Sequence, residues 1–147
     1  MKITQTRYSK WLSAEDMHNN SQEWLSELNF IKDEHLFYQN LINSLASEIA
    51  EENSKDNYIE IIDILNTSQK QNQTLIKAVN DHQNELEVML DGIDQIKEEK
   101  MYVKVHTTLI ATIAEFLKEY KLLKTQLFDI IKTITKDGKQ RDLMDKK

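Results

Sequence analysis

A chain of 147 residues with no proline, no cysteine and two glycines excludes disulfide frameworks, thiolate metal sites and cysteine nucleophiles, and it argues against β-rich or turn-rich folds, which draw on proline and glycine. Its formal net charge of −6 argues against a nucleic-acid binder that works by neutralising phosphates. One domain suffices at this length, burying roughly 70% of its unfolded surface without staples.

The opening "MKITQTRYSKW" lacks the apolar run of a signal peptide, and no stretch reaches about 18 consecutive apolar residues. The expectation is a cytoplasmic chain with no membrane segment. Residues 1–12 show no clear period and are read as an N-terminal extension, with Tyr8, Trp11 and Leu12 as the side chains able to pack back.

Helix one is expected over 14–52. Two starts have the form of a capping box: Ser13 with Asp16, or Asn20 with Glu23, the second leaving a short extra N-terminal helix that breaks at "HNNS". From Trp24 the residues Trp24, Leu28, Ile31, His35, Tyr38, Ile42, Leu45 and Ile49 follow alternating steps of four and three, one apolar seam of a helix. The polar cluster "EENSKDN" then reads as a loop.

Helix two, 57–91, restarts at Asn57 with Glu60 in capping-box form. Its seam runs through Ile61, Leu65, Ser68, Asn72, Leu75, Val79, His82, Leu86 and Met89. Ser68 and Asn72 are polar seam positions; the preferred reading is a continuous helix with a polar layer that fixes register, the rival a break giving a fourth, short helix. The next turn is placed at Asp91-Gly92, where glycine takes a left-handed conformation and Asp94 caps the third helix. "KEEK" at 97–100 is the rival position, and a chain with no turn would make an extended coiled-coil dimer.

Helix three, 95–136, carries the longest seam: Tyr102, His106, Leu109, Ile113, Phe116, Tyr120, Leu123, Leu127, Ile130 and Ile134. Gly138 suggests its C-cap, and 137–147 reads as a solvated polar tail with no nucleic-acid or lipid partner. The fold class is therefore all-α. Three helices of similar length, each about 50 Å at 1.5 Å per residue, predict an antiparallel three-helix bundle with left-handed, coiled-coil-like packing.

Chemistry is sparse. His35, His82 and His106 fall in the seams, one per helix. Reflecting positions about the two turns brings His82 and His106 to nearly one height, with Glu27 or Glu23 near it on helix one. Glu85 shares a face with His82, so His82, Glu85, His106 and Glu27 form a candidate set of ligands for a divalent transition metal. Against it, the Glu-x-x-His order of diiron carboxylate bundles is reversed and occurs once. The same arithmetic sets His35 beside Asn72 or Gln73 as a core residue.

There is no glycine-rich phosphate loop and no nucleophile-elbow motif, so an enzyme is not expected and no cofactor is called for. Leu25, Phe30, Leu36, Phe37, Leu41, Ile62, Ile76, Ile110, Leu117, Phe128 and Ile131 widen the apolar faces beyond a strict seam. Whatever a bundle leaves uncovered would form a surface for self-association, as a homodimer, or for a protein partner.

Overall fold

The structure, a computed structural model, describes residues 13–51, 55–91 and 96–145. It is an all-helical domain of three long helices and one short one: α1 (Ala14–Ser44), α2 (Ala46–Glu51), α3 (Lys55–Asp91) and α4 (Ile96–Asp145).

Ser13 begins α1. Its carbonyl accepts the Met17 N–H at 2.9 Å and its Oγ accepts the Asp16 N–H at 3.1 Å, which satisfies two of the donors a helix start leaves open. The Asn20 start is not used. The expected single helix over 14–52 is instead broken at Leu45, and the extra short helix is α2 rather than an N-terminal one. Here Ser44 Oγ donates to the Leu41 carbonyl at 2.6 Å, and the Leu45 N–H is shared between the carbonyls of Leu41 and Ile42.

Helix α3 starts at Lys55, ahead of Asn57, and continues unbroken through "NTSQKQNQ". The turn expected at Gly92 falls outside the described residues. Its rival is excluded, because "KEEK" lies inside α4. Nor does α4 stop near Lys136: it runs through Gly138 to Asp145, since one glycine in a helix costs about 1 kcal/mol and the flanking Lys, Gln, Arg, Leu and Met are good helix formers. Thr107, Thr108, Thr112, Thr125 and Thr133 each donate a hydroxyl to the carbonyl four residues back.

The chain divides into two compact units, and each long helix contributes to both. Unit 1 comprises Met1–Phe30 with Asn72–Phe116, and unit 2 comprises Ile31–Gln71 with Leu117–Lys147. In unit 1, Met17, Leu86 and Tyr102 form a core cluster with Ala14, Met89 and Val103 packed against it. Contacts of His82 with His106 and of Leu86 with Tyr102 run in opposite order along α3 and α4, so these helices are antiparallel there. Helix α1 runs with α4, from the Met17–Tyr102 level to the Asn20–His106 level.

Unit 2 buries Ile31, Ile42 and Ile49 of α1 and α2, Tyr58 and Leu65 of α3, and Tyr120, Leu123, Leu127 and Ile134 of α4. Those are seam positions at four-three spacing, with Tyr58 extending the α3 seam one step back. In unit 1 the α1 seam also extends back past Trp24, to Ser21 and Met17, both buried. Of the residues outside the seams, Leu25, Leu41, Ile62, Ile76, Ile110, Leu117 and Ile131 are half-buried, while Phe30, Leu36, Phe37 and Phe128 stay exposed.

Candidate functional site

The polar centre of unit 1 lies where α3 and α4 face each other. His82 Nε2 and His106 Nδ1 are 2.8 Å apart, and both residues are buried. His106 Nε2 lies 3.2 Å from Asn20 Nδ2 of α1. An amide nitrogen only donates, so this geometry assigns the protons: Asn20 donates to His106 Nε2, His106 Nδ1–H donates to His82 Nε2, and the His82 proton sits on Nδ1. Both imidazoles are neutral in that arrangement.

Aromatic rings close the centre. Tyr102 stacks on His82 with centroids 3.9 Å apart and planes 5° from parallel, and Trp24 lies 4.8 Å from His106. Burial pushes both histidines down to about 4, and for His82 the neighbouring His106 adds to it. The hydrogen bonds act in the same direction, because an added proton on either ring would set two donors against each other.

Of the four candidate metal ligands, the structure brings His82 and His106 together. Glu85 and Glu27 are exposed, as is Glu23. Among the described residues no three His, Cys, Asp or Glu side chains stand close enough to hold a metal ion. The residue of α1 that reaches His106 is Asn20, with Trp24 beside it, about two turns from the Glu27 level that reflection gave. Asn20 was legible as a partner: it lies four residues before Trp24, on the same helical face.

Beside this centre, still within unit 1, α3 and α4 enclose an open cavity of about 560 Å³. Its apolar wall is Ala78, Val88, Met89, Met101 and Val105, and His82 and Tyr102 also border it. Among the described residues the charged lining is Asp81, Glu85 and Glu98, all exposed, with no lysine or arginine. Asp81 pairs with Lys77 at 3.6 Å. The Tyr102 hydroxyl is buried without a hydrogen-bond partner, and burial together with the Glu85 carboxylate pushes it up to about 12.

Unit 2 has a different polar centre. His35 is fully buried, and its Nε2 lies 2.9 Å from Ser68 Oγ, one turn from the Asn72 or Gln73 contact expected. Asn72 belongs to unit 1, where its Nδ2 donates to the Leu28 carbonyl at 2.9 Å. Nearby, Glu34 accepts from Tyr120 Oη at 3.1 Å and from Lys124 Nζ at 3.2 Å. His35 contacts Tyr120 edge-on, 5.1 Å between centroids.

Comparison with known proteins returns nothing: no family model, curated protein or solved structure matches this chain. The fold and its centres define a class, a small all-helical domain whose described residues carry no metal-binding cluster and whose buried histidines are each bonded to a polar neighbour. Among the described residues no helix is long and apolar enough to cross a membrane.

Proposed function

We propose that this protein is a non-enzymatic, cytoplasmic helical-bundle module that acts by protein–protein contact, as a self-associating homodimer or by receiving a partner's helix. The observation that carries the reading is in unit 2, where Phe37 on α1 and Phe128 on α4 are each 62% exposed, with Leu36 and Leu122 also on the surface. All four lie outside the buried seams, so the unit does not need them for its own core. Single exposed apolar residues are ordinary, but large aromatic ones are the residues that dominate interfaces.

Size-exclusion chromatography with light scattering tests the reading. A dimer that Phe37→Ser with Phe128→Ser converts to a monomer of unchanged helicity supports it. A wild-type monomer that binds no hydrophobic dye sinks it.

A second reading, binding of a divalent transition metal, draws on the approach of His82 to His106. It requires the pair to exchange its shared hydrogen bond for metal bonds and Glu85 to swing in as a third ligand. A melting temperature raised by zinc, iron or manganese, and lost in His82→Gln, would favour it over the first; no shift with any of the three removes it.

A further inference from the structure

We infer that the cavity between α3 and α4 in unit 1 is a binding site for a small protonated organic amine with an apolar body. This goes beyond the proposed contact surface, which lies in unit 2, and neither depends on the other.

Three observations converge on that ligand class. The cavity's volume, about 560 Å³, is within the range of small-molecule sites. Its wall offers Val88, Met101 and Val105, which are 67%, 59% and 44% exposed and would be covered by an apolar body. Among the described residues its charged lining is of one sign: Asp81, Glu85 and Glu98, of which Asp81 has a solvated pairing with Lys77, which does not line the cavity. A cavity with carboxylates at its edge and low-dielectric walls concentrates cations.

The fourth observation concerns a buried hydroxyl. Tyr102 lines the cavity at 5% exposure, and its hydroxyl has no partner. A buried hydroxyl left without a hydrogen bond is costly and calls for an explanation. An ammonium group that donates to the Tyr102 oxygen supplies one, near the Glu85 carboxylate whose charge, after burial, already raises the phenol. The apolar body then lies along Val88, Met89 and Met101. Neutral His82, stacked on Tyr102, adds no opposing charge to the wall.

Titration of the full-length protein with phenylbutylamine, followed by calorimetry and by NMR of the methionine methyl groups, tests this. The expected result is saturable binding that moves the signals of Met89 and Met101 and is at least about tenfold tighter than for phenylbutanol, with phenylbutyrate not binding. Glu85→Gln with Glu98→Gln, both at exposed positions, should weaken the amine about tenfold, leave the alcohol unchanged and leave the melting temperature alone. Tyr102→Phe should weaken it about threefold. Equal affinity for amine and alcohol, binding that leaves Met89 and Met101 unmoved, or no saturation at millimolar amine would each overturn the assignment.

Discussion

His106 and His35 occupy the same kind of seam position, both fully buried, yet their partners give them opposite tolerances. In unit 1 the chain Asn20, His106, His82 passes hydrogen bonds in one direction, and every bond demands a neutral ring. In unit 2, His35 meets a serine hydroxyl, which turns to donate or accept as the ring requires. Charge near the two differs as well. The Glu34 carboxylate partly offsets the effect of burial on His35, which is lowered by desolvation first and raised by Glu34 second. A buried histidine is thus a rigid or an adaptable element according to what it bonds, and periodicity alone does not distinguish the two.

Acid should separate the units most. Both histidines of unit 1 sit near 4 in the folded protein against 6.5 when unfolded. The unfolded state therefore binds protons first as pH falls, and stability drops through that window. It is full above 6.5 and lost by about 4, a total of roughly 3–5 kcal/mol after allowing for coupling within the pair. The groups facing the pair are Asn20 and Trp24 from α1 and Tyr102 from α4, none of which carries a charge in that window. Hydrogen exchange at pH 7 and pH 4.5, with Trp24 fluorescence in a Trp11→Phe background, should show α3 residues 72–91 opening before 58–71. Simultaneous opening would remove the contrast between the units.

Substitution sharpens the same contrast. His106→Leu leaves His82 Nε2 and the Asn20 amide without their partner and should cost about 2–3 kcal/mol in urea unfolding. Adding His82→Leu should recover part of that, because an unpaired buried imidazole is replaced by an apolar side chain. Ser68→Ala in unit 2 should cost less, about 1–2 kcal/mol, since it removes one neutral hydrogen bond from His35. A double variant less stable than His106→Leu alone would mean that the rings pack in a way leucine cannot reproduce.

The helical seams were readable from spacing alone, because four-three steps place residues on one face whatever the tertiary arrangement. So was the polar layer at Ser68 and Asn72, which holds within a continuous α3. The meeting of His82 and His106 followed from reflection about a turn near Gly92, and the two helices end and restart on either side of it. Helix α1 was harder. The spacing pointed to Glu27 where Asn20 stands, because the level of α1 against α3 depends on where the connection between them falls and not on the seam itself. The earlier seam positions Met17 and Ser21 were present in the pattern and follow from the Ser13 cap. The cavity was not legible at all, since it depends on how far Val88, Met101 and Val105 are left uncovered, which packing alone decides.

The smallest expected effect concerns the charged cluster of unit 2. Glu34 holds Lys124 at 3.2 Å and Tyr120 Oη at 3.1 Å, and Lys124 also lies 5.5 Å from the Tyr120 ring centre. Burial and the Glu34 carboxylate together drive the Tyr120 phenol upward, so it remains protonated and keeps donating across the ordinary pH range. The ion pair itself is partly solvated, with side-chain exposures of 37% for Lys124 and 22% for Glu34, and pairs of that kind contribute about 0.5–1 kcal/mol. A double-mutant cycle of Glu34→Gln and Lys124→Met should return a coupling of that size that shrinks in high salt. The hydrogen bond from Tyr120 should survive Glu34→Gln, because the amide oxygen still accepts, and His35 should then titrate lower, having lost the nearby charge that raised it. An unchanged His35 titration in Glu34→Gln would show that Glu34 does not act on the imidazole, and with it would go the electrostatic half of the difference between the two histidine centres.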